Sequence, residues 1–198
     1  MKFKFFLFVF ASFILFAFRG INSESNCILL FEKANNIKFY QYGKSAYYEF
    51  FLDEKKKFKG NEYYVQLRRY SWGDTDTTYV RKAETNYMKY DKSEQNESML
   101  LPIEPMLGDN WKDKDGNWEY KVIEKDLTFK TPIRNYRNCI KLKCQQLTNS
   151  SPKKDQTYYL YYSREFGYVG NVDENNKILS YLKIITLNAK AGESIKNK

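Results

Sequence analysis

The fold of this chain is decided by three neighbouring segments: GDNWKDKDGNWEYKVIEKD (residues 108–126), TPIRNYRNCIKLKC (131–144) and TYYLYYSREFGYVG (157–170). Apolar and polar residues alternate along them, which is typical of β-strands with one buried face. Two of the three tryptophans and two of the three cysteines lie in this stretch. The pattern predicts an antiparallel β-meander.

Strand-like segments also lie on both sides of this meander, at a spacing of roughly ten residues. No long helical period of apolar residues is present outside the first 18 residues, so little helix is expected. We therefore expect a mainly β protein with a single antiparallel, strongly curved sheet or half-open barrel of roughly 8–11 strands. The further predicted strands are residues 45–52, 62–72, 77–81, 87–90 and 178–187, with a short strand or one-turn helix at 28–31.

Turn residues and prolines predict where these strands bend or end. Asp115-Gly116 indicates a two-residue type I′ hairpin turn, and Asp53–Lys57 indicates a charged turn. The alternation slips at Ile123, which predicts a bulge near Glu124–Asp126. Residues 98–107 contain two prolines, which cannot donate to a sheet ladder, so this segment is predicted to be an edge strand or a crossing connection.

The first 18 residues, MKFKFFLFVFASFILFAF, predict a targeting segment. Its uncharged run is short for a bilayer crossing and suits the core of a signal peptide. We expect a signal peptide over residues 1–23, a single antiparallel β domain over 24–187 and a disordered tail over 188–198. A retained N-terminal anchor is the alternative, because Arg19-Gly20-Ile21 makes a poor cleavage site. The residues before Cys27 do not form a lipobox, so a periplasmic or secreted protein is predicted.

The charge and the cysteines restrict the partners and the cross-links. Loss of three basic residues with the signal leaves 30 basic and 24 acidic residues, which favours at most a peripheral contact with an anionic membrane surface. Nucleic acid is not an expected partner of an exported protein. Cys139 and Cys144 are about 16 Å apart if they share one extended strand, too far for a disulfide. A disulfide would therefore join Cys27 to Cys139 or to Cys144, and three free thiols are the alternative.

The residue inventory excludes most catalytic designs. The chain has no histidine, which removes imidazole bases, histidine triads and most catalytic zinc sites. A calcium loop around Gly116 would place Trp111 and Val122 at positions that require oxygen ligands. No catalytic residue, metal or cofactor is predicted. Acids remain for paired-carboxylate glycosidase chemistry, although no spacing selects a pair: Glu104, Asp109, Glu124 and Asp126.

The tyrosine-rich strand at residues 157–162 has no polar face. It belongs either to a filled sheet core or to the wall of a groove for an acyl chain, a peptide or a sugar ring. The candidate ligand-binding residues are Trp118, Tyr120, Tyr158, Tyr159, Tyr161, Tyr162 and Tyr168.

The C-terminal half carries a recurring frame of structural motifs. They are Leu101-Pro102, Gly108-Asp109-Asn110-Trp111, Thr131-Pro132, Tyr136–Cys139, Tyr161-Tyr162 and an aromatic-Gly-x-Val turn at Phe166-Gly167-Tyr168-Val169. This frame resembles that of uncharacterised exported β-sheet proteins of Gram-negative bacteria, and is similar to the half-barrel sheets of periplasmic lipoprotein carriers. Ile133-Arg134 departs from it, because such frames usually have a glycine there. The resemblance implies the fold and the compartment, and points toward lipid handling.

Three functions follow as hypotheses. The leading one is an exported, non-catalytic protein of the cell envelope that binds an apolar ligand, such as a lipid, or a segment of an envelope protein on a curved, aromatic-rich sheet. The first alternative is a structural or protein-interaction module with a filled core. The second is a carboxylate-based hydrolase of envelope glycans.

Overall fold

The computed structural model describes residues 37–147 and 156–186. They form β-strands and contain no helix, and accordingly no helix in this part of the chain is long and apolar enough to cross a membrane. The strands are β1 (Ile37–Tyr42), β2 (Ser45–Phe58), β3 (Asn61–Tyr70), β4 (Thr75–Lys82), β5 (Asn86–Asp91), β6 (Asn96–Pro102), β7 (Asn110–Lys112), β8 (Trp118–Lys130), β9 (Asn135–Gln146), β10 (Thr157–Ser163), β11 (Gly167–Asp173) and β12 (Ile178–Thr186).

The strands form one antiparallel sheet in which almost every strand pairs with its neighbours in sequence. The first strand also pairs with the last, so that Ile37 of β1 lies opposite Thr186 of β12. The sheet curves into a nearly closed barrel, and within the described residues no ladder joins β6 to β7. The predicted fold class is confirmed, with twelve strands where roughly 8–11 were expected.

A hydrophobic cluster closes the barrel across the gap between β6 and β7. Val80, Tyr87 and Leu101 from β4–β6 pack in it with Val122 and Leu142 from β8 and β9. Each of these side chains is at most 1% exposed. Burial of a side chain of this size stabilises the fold by about 1.5–3 kcal/mol. Side-chain packing therefore holds the two edges of the sheet together.

The hairpin of β8 and β9 folds over the outer face of β10–β12. Phe129 of β8 stacks on Tyr161 of β10, with ring centroids 4.2 Å apart. The Tyr136 hydroxyl of β9 donates a hydrogen bond to the Leu182 carbonyl of β12 at 2.6 Å. Cys139, beside them, has no exposed surface. The hairpin thus buries apolar side chains that the sheet alone would leave in solvent.

Several local predictions are confirmed. β6 is an edge strand and ends at Pro102. The register of β8 shifts between Val122 and Leu127, and Asp126 has a φ of 57°, as the slip in alternation predicted. A bulge at this point changes the direction of the strand, so its end can fold over the sheet.

Other local predictions are wrong. Asp53–Lys57 is not a turn, because β2 continues through it and resumes pairing with β3 at Lys55 after a register shift. Phe166–Val169 is not a turn as a whole, since β11 begins at Gly167. Asp115-Gly116 lies in a loop of residues 113–117 and is not a two-residue turn. The Asp113 carboxylate accepts a hydrogen bond from the Trp118 amide at 3.0 Å and closes this longer loop.

Strand β1 was not among the predicted strands, and other predictions fall on residues that are not described. The predicted signal peptide (1–23), the short strand at 28–31, Cys27 and the predicted tail (188–198) all lie outside the described residues.

Candidate functional site

A cavity of about 870 Å³ lies inside the barrel. Successive hairpins of a meander alternate between its two ends, so the β5–β6 and β7–β8 hairpins share one end. Asp91, Lys92 and Asp113 from these hairpins line the cavity there. Lys38, near the start of β1, lines it toward the opposite end. The cavity therefore runs from a mouth among exposed hairpins to an inner end beside β1.

One wall of the cavity is aromatic and apolar and is formed by β8–β11. Side chains alternate along a strand, so Tyr158, Leu160 and Tyr162 of β10 all point inward. Leu160 lies opposite Leu142 of β9, which also lines the cavity, and Tyr120 continues the same face on β8. The alternation that predicted the meander thus builds a continuous apolar surface.

Five of the seven predicted ligand-binding residues line this cavity: Trp118, Tyr120, Tyr158, Tyr162 and Tyr168. Tyr159 and Tyr161 do not, because they alternate with the inward residues of β10 and lie on its outer face. The Lys141 ammonium lies 4.4 Å from the centroid of the Tyr159 ring, and Phe129 covers Tyr161. These two residues therefore lie outside the cavity.

The inward tyrosines present neutral hydroxyls to the cavity. Burial raises the pKa of Tyr168 to about 12. Burial also raises the pKa of Tyr120, Tyr158 and Tyr162 above the ordinary value. Desolvation disfavours the phenolate, so these side chains stay protonated at physiological pH. They offer ring faces and uncharged hydrogen-bonding groups.

The opposite wall, from β1–β4, is polar, and no pattern in the sequence had singled it out. Lys38, Glu49 and Arg68 are direct register partners on three neighbouring strands. Arg68 donates from Nε and Nη2 to Glu49 Oε1, at 2.7 and 2.5 Å. Gln66 donates to Glu49 Oε2 at 3.3 Å. Both carboxylate oxygens of Glu49 are therefore engaged.

The exposure of the two ionic partners differs. The Glu49 side chain is 6% exposed and the Arg68 side chain is 40% exposed. The guanidinium carbon of Arg68 lies 4.9 Å from the centroid of the Tyr47 ring, which restricts its orientation. Burial on its own would lower the pKa of Arg68, but Glu49 outweighs that effect and the pKa is raised. Arg68 is thus a fixed cation on the cavity wall.

Lys38 is the second cation of this wall. Its Nζ donates to the carbonyl of Phe166 at 2.6 Å, which ties β1 to the turn between β10 and β11. Burial lowers the pKa of Lys38, and the Glu49 carboxylate opposes that shift. Because this turn lies at the end opposite the mouth, Lys38 marks the inner end of the cavity.

A chain of hydrogen bonds joins the aromatic wall to the polar wall. The Tyr168 hydroxyl and Ser180 Oγ are 3.0 Å apart, and Ser180 Oγ donates to Asn171 Oδ1 at 2.6 Å. The Tyr40 hydroxyl donates to the Tyr168 carbonyl at 2.9 Å. These bonds satisfy Ser180, which is only 2% exposed, and fix the ring of Tyr168 at the cavity surface.

The acids considered for glycosidase chemistry lie apart from this cavity. Glu104 and Asp109 line a smaller cavity of about 480 Å³ between β6 and β7. The Asp109 carboxylate accepts a hydrogen bond from the Met106 amide at 2.8 Å, so it organises the turn there. Glu124 and Asp126 are exposed at the bulge of β8. Within the described residues, no group of three or more potential metal ligands occurs.

Comparison with known proteins finds no relative of this chain. No protein-family model matches the chain, and comparisons with curated proteins and with solved structures find no match. The resemblance to exported envelope proteins therefore stays a prediction.

Proposed function

We propose that this protein is an exported, non-catalytic protein of the cell envelope that binds an apolar or amphiphilic ligand inside its barrel. The observation that carries the proposal is the cavity of about 870 Å³ with an aromatic wall. Small-molecule sites fall in the range of about 300–1,000 Å³ and combine apolar walls with a few fixed polar groups. The cavity matches that description in size and in lining.

The two walls favour an elongated ligand with chemically different ends. The aromatic wall offers apolar area to a chain, and burial of such area is worth roughly 25 cal/mol per Å². The polar wall offers hydrogen-bond donors that are already held in place. A single-chain lipid satisfies both walls. The compartment is proposed from the apolar, lysine-flanked N-terminus, which has the composition of a signal peptide.

A titration of the full chain with cis-parinaric acid, a fluorescent acyl probe, tests the proposal. We expect saturable binding at one site per chain. Tyr158→Ala removes an inward ring and is expected to weaken binding about tenfold, since roughly 1–2 kcal/mol of contact is lost. Tyr159→Ala is the matched control, because the adjacent, equally half-buried ring lies on the outer face. Its affinity should stay within about twofold of the wild type.

Failure of the probe to saturate would reject the proposal. An equal loss of affinity in the two alanine variants would also reject it, because the effect would then come from general destabilisation. Urea unfolding of each variant shows whether it is folded under the conditions of the titration. Leu160→Trp, which narrows the same cavity without removing an aromatic ring, gives a second independent reading and should weaken binding.

The filled-core module is the second candidate, and the two hydrophobic clusters favour it. The first packs aromatic and aliphatic side chains inside the barrel, and the second packs Phe129 and Tyr161 beneath the β8–β9 hairpin. In that case the space beside Tyr158 and Leu160 would hold only solvent. The same titration separates the candidates, because a filled-core module gives no saturable probe binding.

A further inference from the structure

The polar wall carries one cation that no described carboxylate pairs with directly. Lys38, Glu49 and Arg68 are register partners on β1, β2 and β3, and Asp76 lies opposite Arg68 on β4. Arg68 is bonded to Glu49, whereas Lys38 forms no ion pair with a described carboxylate and donates to the Phe166 carbonyl. The remaining charged side chains of the cavity belong to β4 or to the part of the lining near the mouth: Asp76, Lys89, Asp91, Lys92 and Asp113.

The remaining charges of the lining are more exposed than Glu49, which is buried. Asp76 and Lys89 are exposed, and the Asp76 carboxylate already accepts a hydrogen bond from the Tyr70 hydroxyl at 2.7 Å. Charges in contact with water are screened within about 10 Å, whereas buried charges are screened much less. The buried Glu49 carboxylate and the half-buried Lys38 are therefore screened less than Asp76 and Lys89.

The donors of the inner end are only partly used. Glu49 takes two of the five N–H donors of Arg68, through Nε and Nη2, and the Tyr70 hydroxyl is a further partner of the guanidinium. Lys38 gives one of its three ammonium hydrogens to the Phe166 carbonyl. The ring of Tyr47 beneath Arg68 and the carbonyl bonded to Lys38 hold both cations in place before a ligand arrives. Fixed, partly desolvated donors of this kind suit an anion.

We propose that the inner end of the cavity is a head-group site for a carboxylate, held by Lys38 and Arg68, so that a long-chain fatty acid binds with its head inward. The aliphatic tail lies along the aromatic wall of Tyr158, Leu160 and Tyr162 toward the mouth. This inference rests on the proposed function and adds the chemical class and the orientation of the ligand. Glu49 acts as a positioning residue, because it holds Arg68 and lowers the positive charge of the site.

Three ligands with one tail test the head-group site: laurate, lauryl alcohol and laurylammonium, each titrated against the full chain by displacement of cis-parinaric acid. We expect laurate to bind at least about tenfold more tightly than the alcohol, and laurylammonium to bind most weakly. The ratio of the laurate and alcohol affinities is the readout, because the apolar contribution cancels in it.

Two variants should move this ratio in opposite directions. Lys38→Met keeps most of the length of the side chain and removes a cation, so the ratio should fall about tenfold. Glu49→Gln keeps a hydrogen-bond acceptor for Arg68 and removes the competing anion, so the ratio should rise. Lys121→Met is the matched control, because it makes the same change at an exposed cation of β8 that does not line the cavity. Its ratio should stay within about twofold of the wild type.

The outcomes separate this inference from the proposed function. Equal binding of laurate and lauryl alcohol, or a preference for laurylammonium, overturns the head-group site and leaves the lipid-binding function standing. Absence of binding by all three ligands overturns both. An unchanged ratio in Lys38→Met and Glu49→Gln also overturns the head-group site, and lauryl alcohol binding by each variant confirms that its cavity is intact.

Discussion

The ring of Phe129 occupies the space that a side chain at residue 170 would need. Gly170 has a φ of +153°, and a Cβ atom added to it would lie 2.7 Å from Phe129 Cε1 and would clash with the Ser180 carbonyl oxygen. The β8–β9 hairpin can therefore fold over β11 only because residue 170 has no side chain. The β8 bulge turns the end of the strand so that Phe129 reaches Gly170, and the same ring covers Tyr161.

Gly170→Ala should be severely destabilising. The added methyl group meets the backbone of β12 as well as the ring of Phe129, and the backbone cannot move away cheaply. Overpacking and backbone strain together should cost about 2 kcal/mol or more. Chemical denaturation with urea measures this loss.

Gly43→Ala is the control for that variant. Gly43 also has a positive φ, of 55°, but a Cβ atom there has no neighbour within 4 Å. Its cost should be about 1 kcal/mol, from backbone strain alone. Equal losses of stability in the two variants would contradict a steric role for the contact between Gly170 and Phe129.

The ion pair between Glu49 and Arg68 should show strong energetic coupling. Arg68→Ala leaves the buried Glu49 carboxylate without its cation, which should cost about 3 kcal/mol. Glu49→Ala should cost less, because the Arg68 side chain is 40% exposed and remains hydrated. A double-mutant cycle in urea should therefore give a coupling energy of about 1–2 kcal/mol.

The exposed pair of Glu54 and Lys56 provides the comparison for this cycle. Its atoms approach to 3.3 Å, but both side chains are about half exposed, at 57% and 48%. Pairs of this kind contribute little, so no measurable coupling is expected. A coupling of the same size in both pairs would show that burial of Glu49 is not the cause.

Cys139 and Cys144 should resist thiol reagents in the folded protein. Both are buried, and burial raises the pKa of Cys139 to about 11 and that of Cys144 to about 12. Since only the thiolate reacts, labelling at pH 8 should be at least about 100-fold slower than in urea. Labelling with Ellman's reagent in a Cys27→Ser variant measures these two thiols alone.

The same reagent decides whether Cys27 forms a disulfide. Cys139 and Cys144 are free thiols among the described residues, and Cys27 lies outside them. When the wild-type chain is unfolded without a reducing agent, the reagent should detect one free thiol per chain if Cys27 is paired and three if it is not. Rapid labelling of Cys139 in the folded Cys27→Ser variant would contradict its burial beneath the β8–β9 hairpin.

Glu97 should make stability dependent on pH in the acid range. Hydrogen bonds from Arg81, and a further one from the Tyr63 hydroxyl at 2.7 Å, lower the pKa of Glu97 below its ordinary value of 4.5. The folded state thus favours the carboxylate. The stabilisation is present above about pH 4.5 and is lost as the pH falls through the lower folded-state pKa.

Glu97→Gln should therefore lower the free energy of unfolding at pH 7, by about 1–2 kcal/mol, and the difference from the wild type should shrink below pH 4.5. Thermal unfolding across the acid range measures both effects. Glu62→Gln, at an exposed carboxylate 3.6 Å from Lys55, should change neither. A constant difference between wild type and Glu97→Gln at every pH would contradict the role of the Glu97 charge.

Local patterns predicted the architecture because they act within one strand. The lack of a polar face in residues 157–162 indicated a strand with two apolar faces, and β10 has the cavity on one side and Phe129 on the other. The slip at Ile123 marked the bulge of β8, and the prolines of residues 98–107 marked the edge strand β6. Each of these signals depends on hydrogen bonding or side-chain direction at neighbouring residues.

The polar wall was missed because it depends on pairing between strands. Glu49 lies between Tyr47 and Phe51 on one face of β2, and a lone acid among aromatic residues is the signal that was present. Its meaning depends on Arg68, which the register of β2 and β3 places directly opposite. The cover over Tyr161 was not foreseen for a similar reason, because the hairpin that forms it comes from residues more than twenty positions away.

The pairing of β1 with β12 has a consequence for the order of folding. The other ladders of the sheet join strands that are neighbours in sequence, and so each closes only a short loop. The β1–β12 ladder joins residues at the two ends of the described chain, from Ile37 to Thr186, and must form across the longest separation. Loop-closure entropy therefore favours two meanders, β1–β6 and β7–β12, that assemble separately and join last. The cavity exists only after that final step, so a ligand that fills it would slow unfolding more than it speeds folding.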